Sequence, residues 1–168
     1  MPVVTQTTPL RKARAVAAPA AEWLQLDQQL CFALYSSSLA MTKLYKPLLE
    51  PLGLTYPQYL VMLVLWEGDG ITVSEVGERL TLDSGTLTPL LKRLQTSGLL
   101  ARTRDTEDER RVLVKLTAAG RALKSRAMKV PPQVACAVAC PLDELTALTV
   151  RLKQLRDDIT EFSTRAAA

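Results

Sequence analysis

The side chains able to do redox chemistry in this 168-residue chain are thiols and phenols: Cys31, Cys136 and Cys140, with four tyrosines and no histidine. Without histidine there is no imidazole base, no His-based zinc pair and no Ser/His dyad. An odd number of cysteines does not make a disulfide framework. Cys136 and Cys140 stand four residues apart, which is half of a metal site, but no histidine or further ligand lies nearby; the other reading is two buried small residues. The seven glycines are scattered and form neither a Walker loop nor a Gly-x-Gly-x-x-Gly turn. No metal, no cofactor and no enzyme activity are expected.

Cys31 lies in the apolar run Leu30-Cys31-Phe32-Ala33-Leu34-Tyr35. In such a run a cysteine is either an inert small hydrophobe or a reactive group, and reactivity requires that its thiolate be favoured. No lysine is within a few residues, so hydroxyl donors remain. Tyr35, Tyr45 and Tyr56 supply them, each of which can equally be a half-buried core ring. Cys31 and Tyr45 are fourteen residues apart in one expected helix, about 21 Å along its axis. If the two interact, the tyrosine comes from a partner subunit.

The elements that would position these groups follow from periodicity. Residues 1–22, with three prolines, three basic residues and no apolar period, read as a flexible basic arm. Trp23 to about Leu49 reads as one long helix, and Gln58–Glu67 as a buried one opened by Pro57. Thr72-Val73-Ser74-Glu75 is a capping box that opens a helix to about Leu80. Asp83 or Ser84 caps the next helix, 84–97, with Leu87, Leu90, Leu91 and Leu94 on one face and Pro89 inside. Leu99–Arg104 and Arg111–Thr117 alternate as strands around a charged tip. Thr117 caps a helix through about Met128, broken by Pro131-Pro132, and a last helix runs from near Pro141 to about Phe162. In it Leu145, Leu148, Leu152, Leu155, Ile159 and Phe162 recur at spacings of 3 and 4, the pattern of a heptad seam or of an amphipathic helix lying on its own core.

Helix, short turn, helix, two strands: this is the order of a winged helix-turn-helix, and the expected fold is mainly α with a small β-hairpin wing and a helical dimerisation region. One domain, 23–168, is expected, with the winged helix 71–127 inserted between dimerisation helices 23–67 and 128–163. The charge agrees with a polyanion partner, although a solvated basic face would look the same: of the net +4, residues 72–126 carry eleven basic and seven acidic side chains. At the start of the second helix Ser84, Gly85, Thr86 and Thr88 offer small hydroxyl groups and close backbone approach to duplex DNA; Lys92 and Arg93 follow for phosphates. Arg110 and Arg111 at the wing suit a minor groove, with Asp108 or Glu109 holding Arg110.

These residues carry a resemblance. Leu82–Leu94, Asp108-Glu109-Arg110 and Leu116-Thr117-Ala118-Ala119-Gly120 resemble the winged helix of the MarR-type transcription factors. Leu30–Tyr35, Met41–Leu49 and Thr55-Tyr56-Pro57-Gln58-Tyr59 narrow it to the OhrR branch, which senses organic hydroperoxides. The similarity covers roughly residues 24–162. It implies that Cys31 is the peroxide-reactive cysteine, that Tyr45 and Tyr56 contact its sulfur, with Tyr35 a weaker match, and that a distal cysteine, Cys136 or in its place Cys140, captures oxidised Cys31 as a disulfide. The expectation is a cytoplasmic homodimeric repressor of double-stranded operator DNA, induced by organic hydroperoxides and without a membrane partner. The alternatives are a MarR-type repressor relieved by a non-covalent small aromatic ligand, and a thiol peroxidase.

Overall fold

A computed structural model describes residues 24–166 except Glu107, Glu109 and Ala139. The expected arm 1–22 and Trp23 lie outside the described residues. The chain divides into two units, residues 1–40 and 41–168.

In the first unit a 3-10 turn, Leu26–Gln28, precedes helix α1, Leu30–Leu49. The helix therefore starts at Leu30, not at Trp23. Gln29, extended at φ −84° and ψ 114°, separates turn from helix. Leu24 and Leu26 are 88% and 59% exposed, so no burial rewards extending the helix over them. Leu30, Leu34, Tyr35 and Leu39 are exposed as well.

The second unit holds the core. After Leu49 a 3-10 turn, Glu50–Leu52, ends at Gly53, whose φ of +68° turns the chain back. Helix α2, Tyr56–Glu67, begins there: the Gln58 side-chain oxygen accepts from the Thr55 N–H at 2.8 Å, and Pro57 occupies a first-turn position where no N–H is needed. Strand β1, Ile71–Thr72, leads into α3, Val73–Leu80, and α4, Ser84–Thr96. Strands β2, Leu100–Arg104, and β3, Val112–Leu116, complete an antiparallel sheet of order β1-β3-β2. The wing is thus more than the expected hairpin: Ile71 and Thr72 pair with Val114 and Leu113 on the other edge of β3.

Helices α5, Ala118–Ala127, α6, Val130–Val138, and α7, Leu142–Ala166, follow. The prolines 131 and 132 were expected only to break a helix. They do separate α5 from α6, but they also stand in the first turn of α6, where their missing N–H groups cost nothing. Leu49, Val61, Met62, Leu65, Val76, Leu87, Leu91, Leu94, Leu100 and Val114 form the centre of the core. The protein is predominantly helical with one small antiparallel sheet. No single helix among the described residues is long and apolar enough to cross a membrane.

Candidate nucleic-acid interface and thiol site

Two capped helices build the reading head. The Thr72 hydroxyl accepts from the Glu75 N–H at 3.1 Å, and a Glu75 carboxylate oxygen accepts from the Thr72 N–H at 2.7 Å and its hydroxyl at 2.6 Å. These bonds, with the hydroxyl foremost, hold the Glu75 carboxyl below its ordinary range. At the head of α4 the Asp83 carboxylate accepts from the Thr86 hydroxyl at 2.8 Å and the Thr86 N–H at 2.9 Å, lowering its own proton affinity in the same way. Between the helices the chain turns at Thr81, a non-glycine residue in the left-handed region at φ 57°. The Leu82 N–H closes the turn on the Gly77 carbonyl at 2.9 Å, and a Cβ at Gly77 would sit 3.0 Å from the Leu82 oxygen. A side chain at Gly77 would have to push the turn between α3 and α4 back by a few tenths of an ångström.

Leu87, Leu91 and Leu94 anchor α4 in the core, which leaves Ser84, Gly85, Thr86, Thr88, Lys92 and Arg93 exposed together on its outer side. Thr86 and Thr88 both spend their hydroxyl protons inside the protein, Thr88 on the Ser84 carbonyl at 2.7 Å. Towards a ligand they present oxygen lone pairs, which suits amino groups on base edges better than phosphates.

The wing carries its arginines differently from one another. The Asp108 carboxylate holds the Arg110 backbone N–H at 3.0 Å, and the Arg110 side chain is exposed with no ion pair among the described residues. Arg111 instead faces the Asp105 carboxylate at 3.8 Å. Glu109 lies outside the described residues. Ser74, Thr88, Arg102, Arg110 and Arg111 line one cavity of about 330 Å³ between wing and reading head. Ser74 and Arg102 were not singled out from the sequence. Arg102 sits in β2 two residues before Arg104, on the same face of the strand, and that spacing of two arginines was the available signal. Its Nε donates to Gln95 of α4 at 2.8 Å.

The phenols expected to serve the thiol come together. The Tyr45 and Tyr56 rings are 4.7 Å apart between centroids, and Tyr59, missed in the sequence, packs on Tyr45 at 5.9 Å. Burial first, then the neighbouring Tyr56 and Tyr59 phenols, push the Tyr45 phenol above its ordinary value. It is a protonated hydrogen-bond donor throughout the neutral range. Cys31 belongs to the other unit. It is exposed on α1, 3.8 Å from the Gln29 side-chain oxygen, with Tyr35 one helical turn further on and also exposed. Cys136 is exposed near the end of α6. Cys140 donates its thiol proton to the Glu144 carboxylate at 3.3 Å; desolvation first, then that bond and the negative charge, raise its pKa. All three cysteines are free. No cluster of three or more potential metal ligands occurs among the described residues.

Comparison with known proteins agrees with this geometry. Residues 43–127 match the family described as transcriptional regulator SarA/Rot. The organic hydroperoxide resistance transcriptional regulator of Bacillus subtilis (strain 168) is 56% identical over 108 residues, 64% of this chain and 74% of its own length. AbfR of Staphylococcus epidermidis is 34% identical with a TM-score of 0.70, over 86% of this chain and 99% of that one. Reduced AbfR bound to DNA gives 35% and 0.69 over 83% and 97%, and disulfide-formed AbfR 35% and 0.58 over 81% and 96%. MarR of E. coli is 28% identical with a TM-score of 0.62, over 76% and 96%. The reading head, the wing and these likenesses together make the chain a DNA-binding transcriptional regulator and no enzyme, a member of the MarR-type winged helix-turn-helix family in its OhrR branch.

Proposed function

We propose that this protein is a homodimeric repressor that holds its operator while Cys31 is reduced and releases it when an organic hydroperoxide oxidises Cys31. The observation that carries the reading is the pairing of Tyr45 and Tyr56, whose rings lie 4.7 Å apart between centroids. Two neighbouring phenols can donate hydrogen bonds to one anion, and Cys31 is an exposed sulfur that can be that anion. Fourteen residues of one helix separate Cys31 from Tyr45 in sequence, about 21 Å of helical rise, so in this reading the phenols serve the partner's sulfur.

The Cys31 thiolate attacks the distal peroxide oxygen. The O–O bond breaks, Cys31 becomes a sulfenic acid, and the alkoxide leaves as the alcohol after taking a proton from solvent. The Cys136 thiolate then attacks the sulfenic sulfur; the S–O bond breaks, a disulfide forms and water departs with the thiol's proton. Cys136 is favoured over Cys140 because it is exposed, whereas Glu144 keeps the Cys140 proton in place and so keeps it a poor nucleophile. In the reduced dimer two α4 helices would read successive major grooves about 34–36 Å apart. The disulfide would change that separation, and a coupling of about 1–3 kcal/mol lowers operator affinity some five- to 150-fold. Ser84, Gly85, Thr86, Thr88, Lys92, Arg93 and Arg110 are the proposed DNA contacts, with Asp108 and Arg111 shaping the wing. That reduced and disulfide-formed states of AbfR both exist supports the scheme.

The test is operator binding, by fluorescence anisotropy, before and after cumene hydroperoxide. Wild type and Cys140→Ser should release DNA and form an intersubunit disulfide on non-reducing gels. Cys31→Ser should stay bound. Cys136→Ser should lose the Cys31–Cys136 crosslink. Release by Cys31→Ser to the same extent as wild type would end the redox reading and leave relief by a non-covalent ligand.

A further inference from the structure

Beside the tyrosine pair, in the same unit, the structure holds a largely apolar cavity of about 510 Å³. Leu54, Pro57 and the Tyr56 side chain make part of its wall, and Lys43, Lys46 and Glu50 of the same face of the chain add charge. Tyr56 belongs both to this cavity and to the phenol pair. A ligand filling the cavity therefore ends beside the groups that, in the reading above, receive the partner's sulfur. The two lysines are three residues apart on α1, hence neighbours on its surface, and neither is in an ion pair among the described residues. An apolar hollow with two cations against one carboxylate complements an apolar chain that bears an anion.

We propose that Lys43 and Lys46 make the sensor selective for hydroperoxides that carry a carboxylate, by holding that group while the hydrocarbon chain fills the cavity and the O–O group lies against Tyr56. The proposal rests on the sensing reading and adds a specificity determinant to it. Chemistry at the O–O bond is unchanged; only the residence of the peroxide is affected.

The pair of probes that isolates the charge is linoleic acid hydroperoxide and its methyl ester, used below micelle-forming concentrations. They share the chain and the O–O group and differ in the anion. The readout is the initial rate of Cys31 oxidation in the full-length dimer, followed by mass spectrometry, which does not depend on DNA affinity. Two exposed lysines should favour the acid by at most about fivefold. Raising the salt to about 0.5 M should pull the ratio towards one, since such contacts are screened. The double substitution Lys43→Gln/Lys46→Gln should abolish the preference while leaving the ester rate as it was, which also shows that the variant is folded. Glu50→Gln should increase the preference. Equal rates for acid and ester in wild type, or a preference that survives the double substitution, would overturn the assignment while leaving peroxide sensing intact. Failure of both probes to oxidise Cys31 would remove the sensing reading itself, and this inference with it.

Discussion

Replacing Gly120 by alanine is the most demanding test of how the wing is mounted. A Cβ at this position would sit 2.0 Å from the Leu99 carbonyl oxygen, 3.0 Å from its carbon and 3.2 Å from Leu116 Cδ2. The first of these is a backbone atom and cannot swing away as a side-chain end can. Relief requires a shift of more than about 1 Å between the start of α5 and the chain entering β2. Three bonds depend on that spacing: Thr117 N–H to the Leu99 oxygen at 3.1 Å, Gly120 N–H to the Thr117 hydroxyl at 3.0 Å, and Trp66 Nε1–H to the Gly120 oxygen at 2.9 Å. Overpacking of this kind costs about 1–3 kcal/mol. Weakening the bonds adds about 1 kcal/mol each, and alanine returns up to about 1 kcal/mol through its helix propensity. The expected loss is about 3–5 kcal/mol, a large part of a typical domain's 5–15 kcal/mol. Urea unfolding followed by circular dichroism measures it. Two controls set the scale. Nothing lies within 4 Å of a Cβ at Gly68, so Gly68→Ala should change stability by less than about 0.5 kcal/mol. Gly98→Ala meets no atoms but must hold φ at +69°, costing about 1–2 kcal/mol. A Gly120→Ala protein within about 1 kcal/mol of wild type would refute this account of the Leu116–Gly120 segment.

Two further outcomes follow from the charges. The Glu75 and Asp83 carboxyls are lowered in the folded protein, so their contribution is complete above the unfolded values and is lost as pH falls through the folded ones. The urea midpoint should therefore decline below about pH 4, and Glu75→Gln with Asp83→Asn should flatten that decline; an unchanged acid limb would contradict the caps. In operator binding, Lys92→Ala and Arg110→Ala should each reduce the log–log salt slope by about one. Arg111→Ala should reduce it less, because Asp105 already offsets that charge; a larger effect at Arg111 than at Arg110 would reverse the assignment.

What the sequence showed and what it hid divide along a physical line. Caps are local: Thr72 with Glu75 three residues on, and Asp83 before Ser84, can be read from spacing alone, and both are made as expected. The Leu87, Leu91 and Leu94 stripe is equally local, and it fixed which side of α4 stays outside. Strand β1 was invisible because two residues carry no period. Ile71 and Thr72 become a strand only by pairing with Leu113 and Val114, some forty residues away. Helix α6 was obscured by reading Pro131-Pro132 as a stop, when the first turn of a helix accepts proline. The meeting of Tyr45 and Tyr56 is intermediate in kind. Both residues were legible as candidates, but their contact depends on the reversal at Gly53, which brings the start of α2 back to α1.

Helix α7 bears on whether these parts can act singly. It is 25 residues long and buries none of them, yet Leu148, Leu152, Ile159 and Phe162 keep a seam that is 39–74% exposed. Intrinsic propensity alone holds a helix of this length only marginally, and most helical stability comes from packing an apolar face. The exposed leucines of the first unit, Leu30, Leu34 and Leu39, make the same demand independently. Heptad spacing fits another helix of the same kind, and in the proposed homodimer a second copy of the chain would supply it. In the proposed dimer that requirement joins the two activities. The same contacts that cover the apolar seams would bring a partner's sulfur to the phenols and set the distance between two reading heads. In that proposal a disulfide formed there would also shift operator spacing, because sensing and spacing would share one set of packed helices.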